Sequence, residues 1–334
     1  MSHEIDFSNG RANMAFVGKT PWHNLGTELQ PDADVEVWRQ AAGLNFQINR
    51  APIAMRINAW GASHPYVDAD GLERVVLYRS DTQAPLSVVS NRYQIVQPGE
   101  VLEFFRELVE AGGFRLHTAG SLFGGRKIWA LAETGLEGTV NVPADKVGCY
   151  LLLATACDGS LATIGQFTTV RVVCNNTLRM SIREGESTRD HVRIPHSTKF
   201  DHAKMKSELG LVAQSWASFI EQAKELAKVK LSDTKALAVL HQVFEDVFEK
   251  KQDAQEFAKL PTTHRIIDLY NGGALGSDLE SANGTAWGFV NAITQYYDHE
   301  KRARIDDNRL ASAWFGQGQA VKAAAFKRAV ELVA

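Results

Sequence analysis

Cys149-Tyr150-Leu151-Leu152-Leu153-Ala154-Thr155-Ala156-Cys157, then Asp158-Gly159-Ser160, then LATIGQFTTVRVV from Leu161 to Val173, make the most informative run in this chain. Two apolar and β-branched runs flank a short turn signal, the pattern of a β-hairpin. A second hairpin precedes it: the run 114–122 meets 127–133 across Phe123-Gly124-Gly125-Arg126, where Gly-Gly supplies the positive φ angles that tight turns need. Further strands are expected near 47–55, 74–80, 86–96 and 174–182, so strand signals dominate from Phe46 to about Ile182. Consecutive hairpins imply a mainly antiparallel sheet. One helix interrupts the meander: Pro98 opens it, Val101, Leu102, Phe105, Leu108 and Val109 give it an apolar face, and Gly112 stops it. That helix is free to cover one sheet face.

Residues 1–31, rich in Gly, Asn and Pro, read as an irregular N-terminal arm. Asp32 or Asp34 then caps a short helix with Val35, Trp38 and Ala42 on its apolar face and Gly43 as its stop. Past about residue 200, helices are expected over 201–229, 233–252, 262–270, 284–302 and 318–333, with Thr262 or Thr263 opening the third after Pro261. The polar segment 183–202 is the most linker-like. The fold class expected is α+β: a mainly antiparallel, hairpin-rich sheet with a covering helix over 32–200, followed by a helical C-terminal region over 201–334 packed on it.

At 334 residues, 45% hydrophobic and 22% charged, the composition is that of ordinary globular protein. A net charge of −3 argues against a uniformly basic nucleic-acid coat. The three cysteines, Cys149, Cys157 and Cys174, lie in apolar surroundings without C-x-x-C spacing, as reduced core thiols do. No apolar run approaches the roughly 18 residues a membrane span requires, and no signal-peptide pattern opens the chain. A cytoplasmic protein without membrane contact is expected.

Motif chemistry is sparse. Val17-Gly18-Lys19-Thr20 imitates the end of a phosphate loop, but Asn13 stands where the first Gly belongs and Pro21 follows at once. The informative asymmetry is basic. Between Arg171 and Lys206 stand eight cations (Arg171, Arg179, Arg183, Arg189, Arg193, Lys199, Lys204, Lys206) and four anions, a local charge of +4 that leaves the remainder at −7. Such a segment can track a phosphate backbone, with His191, His196 and His202 adding charge at low pH and Arg92, Arg126 and Lys127 lining the same groove. Tyr93 or Trp22 would offer a ring for bases to stack on. The competing reading is an edge strand and loop kept soluble by charge. Asn175 and Asn176 interrupt an apolar strand and mark either a bulge or a ligand contact. Asn291, Gln295, Asp298 and Arg302 share one helix face, which meets either solvent or a ligand or intersubunit network.

Met14-Ala15-Phe16-Val17-Gly18 with Pro21-Trp22-His23-Asn24-Leu25-Gly26-Thr27, then Arg171-Val172-Val173-Cys174-Asn175-Asn176-Thr177-Leu178, then Gly284-Thr285-Ala286-Trp287 with Asn291-Ala292 and Tyr297-Asp298-His299, resembles the phage/plasmid-like family of unknown function. The resemblance implies a protein of a mobile element. At the level of fold, a hairpin-rich sheet with a packed helix and a basic strand-to-helix segment looks like the phage single-strand annealing proteins of the Erf and RecT type, which load single-stranded DNA in a positive groove of a ring or filament. The function expected is single-stranded DNA binding that assists annealing or recombination, by a homo-oligomer, without catalytic residues, metal or cofactor. A metal-dependent enzyme acting on nucleic acid or nucleotide is the alternative, with His23, Asp298 and His299 as its metal or acid/base groups; the same residues can instead clamp the arm to the helices. A non-catalytic anti-defence or interaction protein is the third reading.

Overall fold

A computed structural model describes residues 5, 7–8, 10–18, 25–56, 63–69, 71–110, 113–174, 176–179, 182–184, 187–189, 191–209, 212–302 and 309–333. Eight strands form the main sheet: β1 (Met14–Val17), β2 (Thr27–Leu29), β3 (Arg115–Leu122), β4 (Lys127–Thr139), β5 (Lys146–Ala156), β6 (Thr163–Arg171), β7 (Asn176–Arg179) and β8 (Val192–Ile194). Their spatial order is β7-β6-β5-β4-β3-β1-β2, with β8 also on β6. Every pairing is antiparallel except β1 with β2. Both expected hairpins form. Gly159 at φ +76° turns β5 into β6, and Asp158 Oδ1 accepts from Ser160 N at 2.9 Å. A smaller antiparallel sheet joins Ile48–Pro52, Arg74–Arg79 and Pro85–Ser90.

Ten helices are described: α1 (Val35–Ala41), α2 (Pro98–Glu110), α3 (His202–Leu209), α4 (Val212–Lys228), α5 (Asp233–Phe248), α6 (Ala254–Ala258), α7 (Pro261–Asp268), α8 (Ala286–Gln295), α9 (Arg309–Phe315) and α10 (Gln317–Glu331). The chain is thus α+β, with a mainly antiparallel sheet, a covering helix and a helical C-terminal region. Asp34 caps α1 through its bond from Glu36 N. Neither Thr262 nor Thr263 caps α7; Leu260 holds that position and Pro261 stands at the first turn, where its missing N–H costs nothing. The helix expected over 284–302 ends at Gln295 and passes into a π-helical turn, Tyr296–Glu300.

Three expectations need correction. The arm is not wholly irregular: Met14, Ala15 and Phe16 are buried, and β1 pairs with β3. Gly120 makes that pairing close, since a Cβ there would lie 2.8 Å from Asn13 O. The linker-like segment is partly sheet, because Val192 and Ile194 alternate inward around exposed Arg193. The helix expected over 201–229 is two helices, α3 and α4, with Gly210 between them in sequence.

Residues paired across strands share a face, so register sorts the main sheet. Face one carries Ala119, Ala130, Leu151, Leu153, Phe167 and Leu178, packed with Trp38, Phe104, Phe105, Phe219 and Trp287 from α1, α2, α4 and α8. Face two carries Met14, Trp129, Leu131, Leu152, Ala154 and Ile164, packed with Leu310 and Trp314 of α9. A third cluster lies among α5, α6, α7, α8 and α10. Cys149, Cys157 and Cys174 are buried free thiols, and burial pushes the first two up to about 12 and Cys174 up to about 11, which keeps them protonated and unreactive. No described helix is long and apolar enough to cross a membrane.

Candidate functional site

Arg171, expected on a phosphate path, points into face one and is 2% exposed. Its Nε and Nη2 donate to the two oxygens of Asp145 at 2.6 and 3.0 Å, and Nη2 also reaches Gly276 O at 3.2 Å. Burial alone would lower the arginine's pKa, but the Asp145 carboxylate more than offsets it. Asp145, itself fully buried, also accepts from Ser281 Oγ at 2.6 Å and Trp287 Nε1 at 3.0 Å. Burying the ion pair is tolerable because its charge and polar atoms are met. Arg171 therefore joins β6 to the start of α8 and touches no solvent path. The turn into α8 depends on Gly288: Thr285 Oγ1 accepts from its N–H, and a Cβ there would sit 1.8 Å from Ala282 O.

A second buried group lies one strand away. Lys322 of α10 is fully buried and donates to Asp298 Oδ1 at 2.6 Å, Thr177 O at 2.8 Å and Thr177 Oγ1 at 3.0 Å, all that three ammonium protons can do. Burial lowers the lysine's pKa, and Asp298 pulls it part of the way back. Asp298 Oδ2 accepts from Thr177 N and Oγ1. Asn176 Nδ2 donates to Asn291 O at 3.0 Å, and Asn291 Nδ2 donates to Trp287 O. Gln295 Oε1 accepts from Leu275 N. At Asn291, Gln295 and Asp298 the face of 284–302 is buried and bonds within the chain, while Arg302 is exposed. Both Asp298 oxygens are engaged within the chain. Next to Asp298, His299 is held neutral by burial, its pKa lowered. Trp22, His23 and Asn175 lie outside the described residues.

The remaining basic residues scatter. Lys206 and His202 turn to Glu107 of α2. The side chains of Arg183 and Arg189, on a hairpin of Ile182–Glu184 and Ser187–Arg189, lie outside the described set. Lys199 is exposed in the loop before α3, and Arg92 is exposed beside Tyr93. Tyr93 is no open platform: its ring stacks on His196 with centroids 4.5 Å apart, and its hydroxyl donates to Ala156 O at 2.6 Å. His196 is itself held between Gln94 O and Leu161 O. Exposed Arg126 bonds Phe123 O at the hairpin tip. Lys127 stands over the Phe123 ring, its pKa lowered by burial.

Face two gathers what the linear segment does not. One cross-strand row reads Arg115, Glu133, Tyr150, Thr168, Arg179. The next holds Thr118, Leu131, Leu152 and Gln166, then Trp129, Ala154, Ile164 and Arg193, with Lys127 opposite Ala156. Arg115, Lys127, Arg179 and Arg193 therefore frame a single face. A bulge at His117 turns that ring onto Tyr150, 5.3 Å between centroids, and burial lowers its pKa. Tyr150 donates to Glu133 Oε1 at 3.2 Å. Arg179 Nη2 donates to Trp314 O at 3.3 Å. Trp129 Nε1, Gln166 Oε1 and Thr118 Oγ1 are buried without a hydrogen-bond partner among the described residues, as are Ser121 Oγ and Asn176 Oδ1 on face one.

Asp145, Lys322 and this row escaped the sequence reading. Lys322 had a signal: it falls on the apolar stripe of α10 with Gly318, Val321, Ala325 and Ala329, where a charge needs a buried partner. Asp145, in a Pro-Ala-Asp turn, had none. Among the described residues no three His, Cys, Asp or Glu side chains gather as a metal site. Neither a curated protein nor a solved structure matches the chain. The family model described as a domain of unknown function, DUF932, matches residues 85–314, and the chain belongs to that family.

Proposed function

We propose that the chain is a mobile-element protein, of a phage or plasmid, that holds single-stranded DNA on face two of its sheet and assists annealing or recombination without covalent chemistry. The observation that carries this reading is the register that brings Arg115, Lys127, Arg179 and Arg193 onto one face. Arg115 and Arg193 are exposed and make no ion pair among the described residues, so they are available to phosphates. Phosphate contacts release counterions, so binding falls steeply with salt. Work in the cytoplasm and assembly into a homo-oligomer accompany the proposal.

The test is fluorescence anisotropy of a labelled single-stranded oligonucleotide across a salt series. Wild type should bind at low salt with a negative log–log slope. Arg193→Ala and Arg115→Ala should each reduce the steepness of that slope by about one. No binding at the lowest salt, or equal slopes in wild type and both variants, overturns the reading.

A further inference from the structure

We infer that the turn carrying Val172 and Val173, with Leu275 beside it, is the surface through which two copies of this chain associate about a two-fold axis. This deepens one element of the reading just proposed, the homo-oligomer, and rests on that reading only there. Val172 is 48% exposed, Val173 39% and Leu275 60%. Single exposed apolar residues are ordinary, but these are neighbours. Val173 packs so closely on the turn at 274–278 that a Cβ on Gly276 would lie 2.8 Å from Val173 Cγ1.

The patch is held from beneath. Arg171, one residue before Val172, donates to Gly276 O at 3.2 Å. Its partner Asp145, one residue before Lys146, accepts from Ser281 Oγ at 2.6 Å. Val172 N also donates to Lys146 O at 2.9 Å. The buried Arg171–Asp145 pair thus fixes Lys146, Val172 with Val173, and the turn at 274–278 relative to one another. A surface already ordered in the free chain loses little conformational entropy on association.

Charge selects the occupant. Neighbours run from Lys146 through Val172 and Val173 to Gly276 and on to Asp278, so a cation ends the apolar patch on one side and an anion on the other. Both are exposed, and neither makes an ion pair among the described residues. Asp278 lines an open cleft of about 470 Å³ with Asp233, Asn271, Ser277 and Asn283, which has room for an ammonium group. Asp233 is engaged by Asn271, and Lys230 by Asn283 O, which leaves Asp278 as the free charge there. In a two-fold contact, residue i of one copy meets j of the other and j meets i. A patch with opposite charges at its two ends is therefore complementary to itself: apolar centre meets apolar centre, and each Lys146 reaches the partner's Asp278. Because those end charges balance, the patch has no excess cation to draw a phosphate chain. A small apolar centre with a charged rim fits a weak, salt-sensitive dimer.

Sedimentation equilibrium of the DNA-free protein tests this. Wild type should pass from monomer to dimer as concentration rises. Leu275→Asp and Val172→Asp, at exposed positions, should each weaken association by about tenfold or more with circular dichroism unchanged. Lys146→Glu alone and Asp278→Lys alone should also weaken it. An equimolar mixture of those two variants should recover the dimer, since both ion pairs re-form with their signs matched in the mixed pair. A wild type that stays monomeric at every concentration, or a dimer that the aspartate and charge variants leave intact, overturns the inference. Either failure leaves the salt series with oligonucleotide as the separate judge of the DNA-binding reading. Should an aspartate variant not fold, the mixed charge variants decide alone.

Discussion

The two faces of the main sheet each bury polar side chains, and each sets a bonded network beside unmet atoms. On face one Ser121 Oγ and Asn176 Oδ1 have no partner among the described residues, while on face two Thr177 is engaged by Lys322 and Asp298. On face one, both oxygens of Asp145 and the guanidinium of Arg171 are engaged by Ser281, Trp287 and backbone carbonyls. On face two, Trp129, Gln166 and Thr118 each keep an atom without a partner among the described residues. The comparison separates bonded networks from unmet atoms within each face. A satisfied buried network welds elements together, whereas unmet buried groups lower stability and persist where another role retains them.

The largest effect should come from face one. Asp145→Ala leaves Arg171 buried and unpaired and strips Ser281 and Trp287 of their acceptor. Breaking a buried pair costs about 3–5 kcal/mol, a large share of a typical domain's stability. Urea unfolding should show that loss. A midpoint close to wild type would mean that Arg171 finds another partner and that the face-one network is not a weld.

A smaller change of opposite sign is expected on face two. Gln166→Leu keeps the volume and removes an amide oxygen that has no partner among the described residues, so stability should hold or rise by about 1 kcal/mol. Calorimetry on wild type and variant checks this. A destabilised variant would place Gln166 with the satisfied groups and erase the contrast.

The gentlest effect is with pH. Burial holds His117 on face two and His299 beside Asp298 below the ordinary histidine value of 6.5. The unfolded chain then binds more protons than the folded one in acid, so the stability these groups contribute is complete above pH 6.5 and is lost as pH falls through the folded values. His117→Gln should flatten the acid limb of a Tm–pH curve by removing one of the two groups. An unchanged limb would show that the bulge leaves His117 open to water.

Local pattern by itself determined the hairpins at Asp158–Ser160 and Phe123–Arg126, the helix opened by Pro98, a capping aspartate at 32 or 34 and the helical last third, because turn chemistry and apolar period act within a few residues. It also marked the motif residues as unusual. What it could not determine was direction. A charged segment read along the chain looks continuous, but alternation along β6, the turn 172–174 and the crossing to β8 send Arg171 to one face and Arg179 and Arg193 to the other. Only the tertiary structure brings Asp145 to Arg171, Lys322 to Asp298 and Arg115 to the row of Arg179, since each pairing joins residues far apart in the chain, and which side chains meet there depends on how strands stack and helices dock.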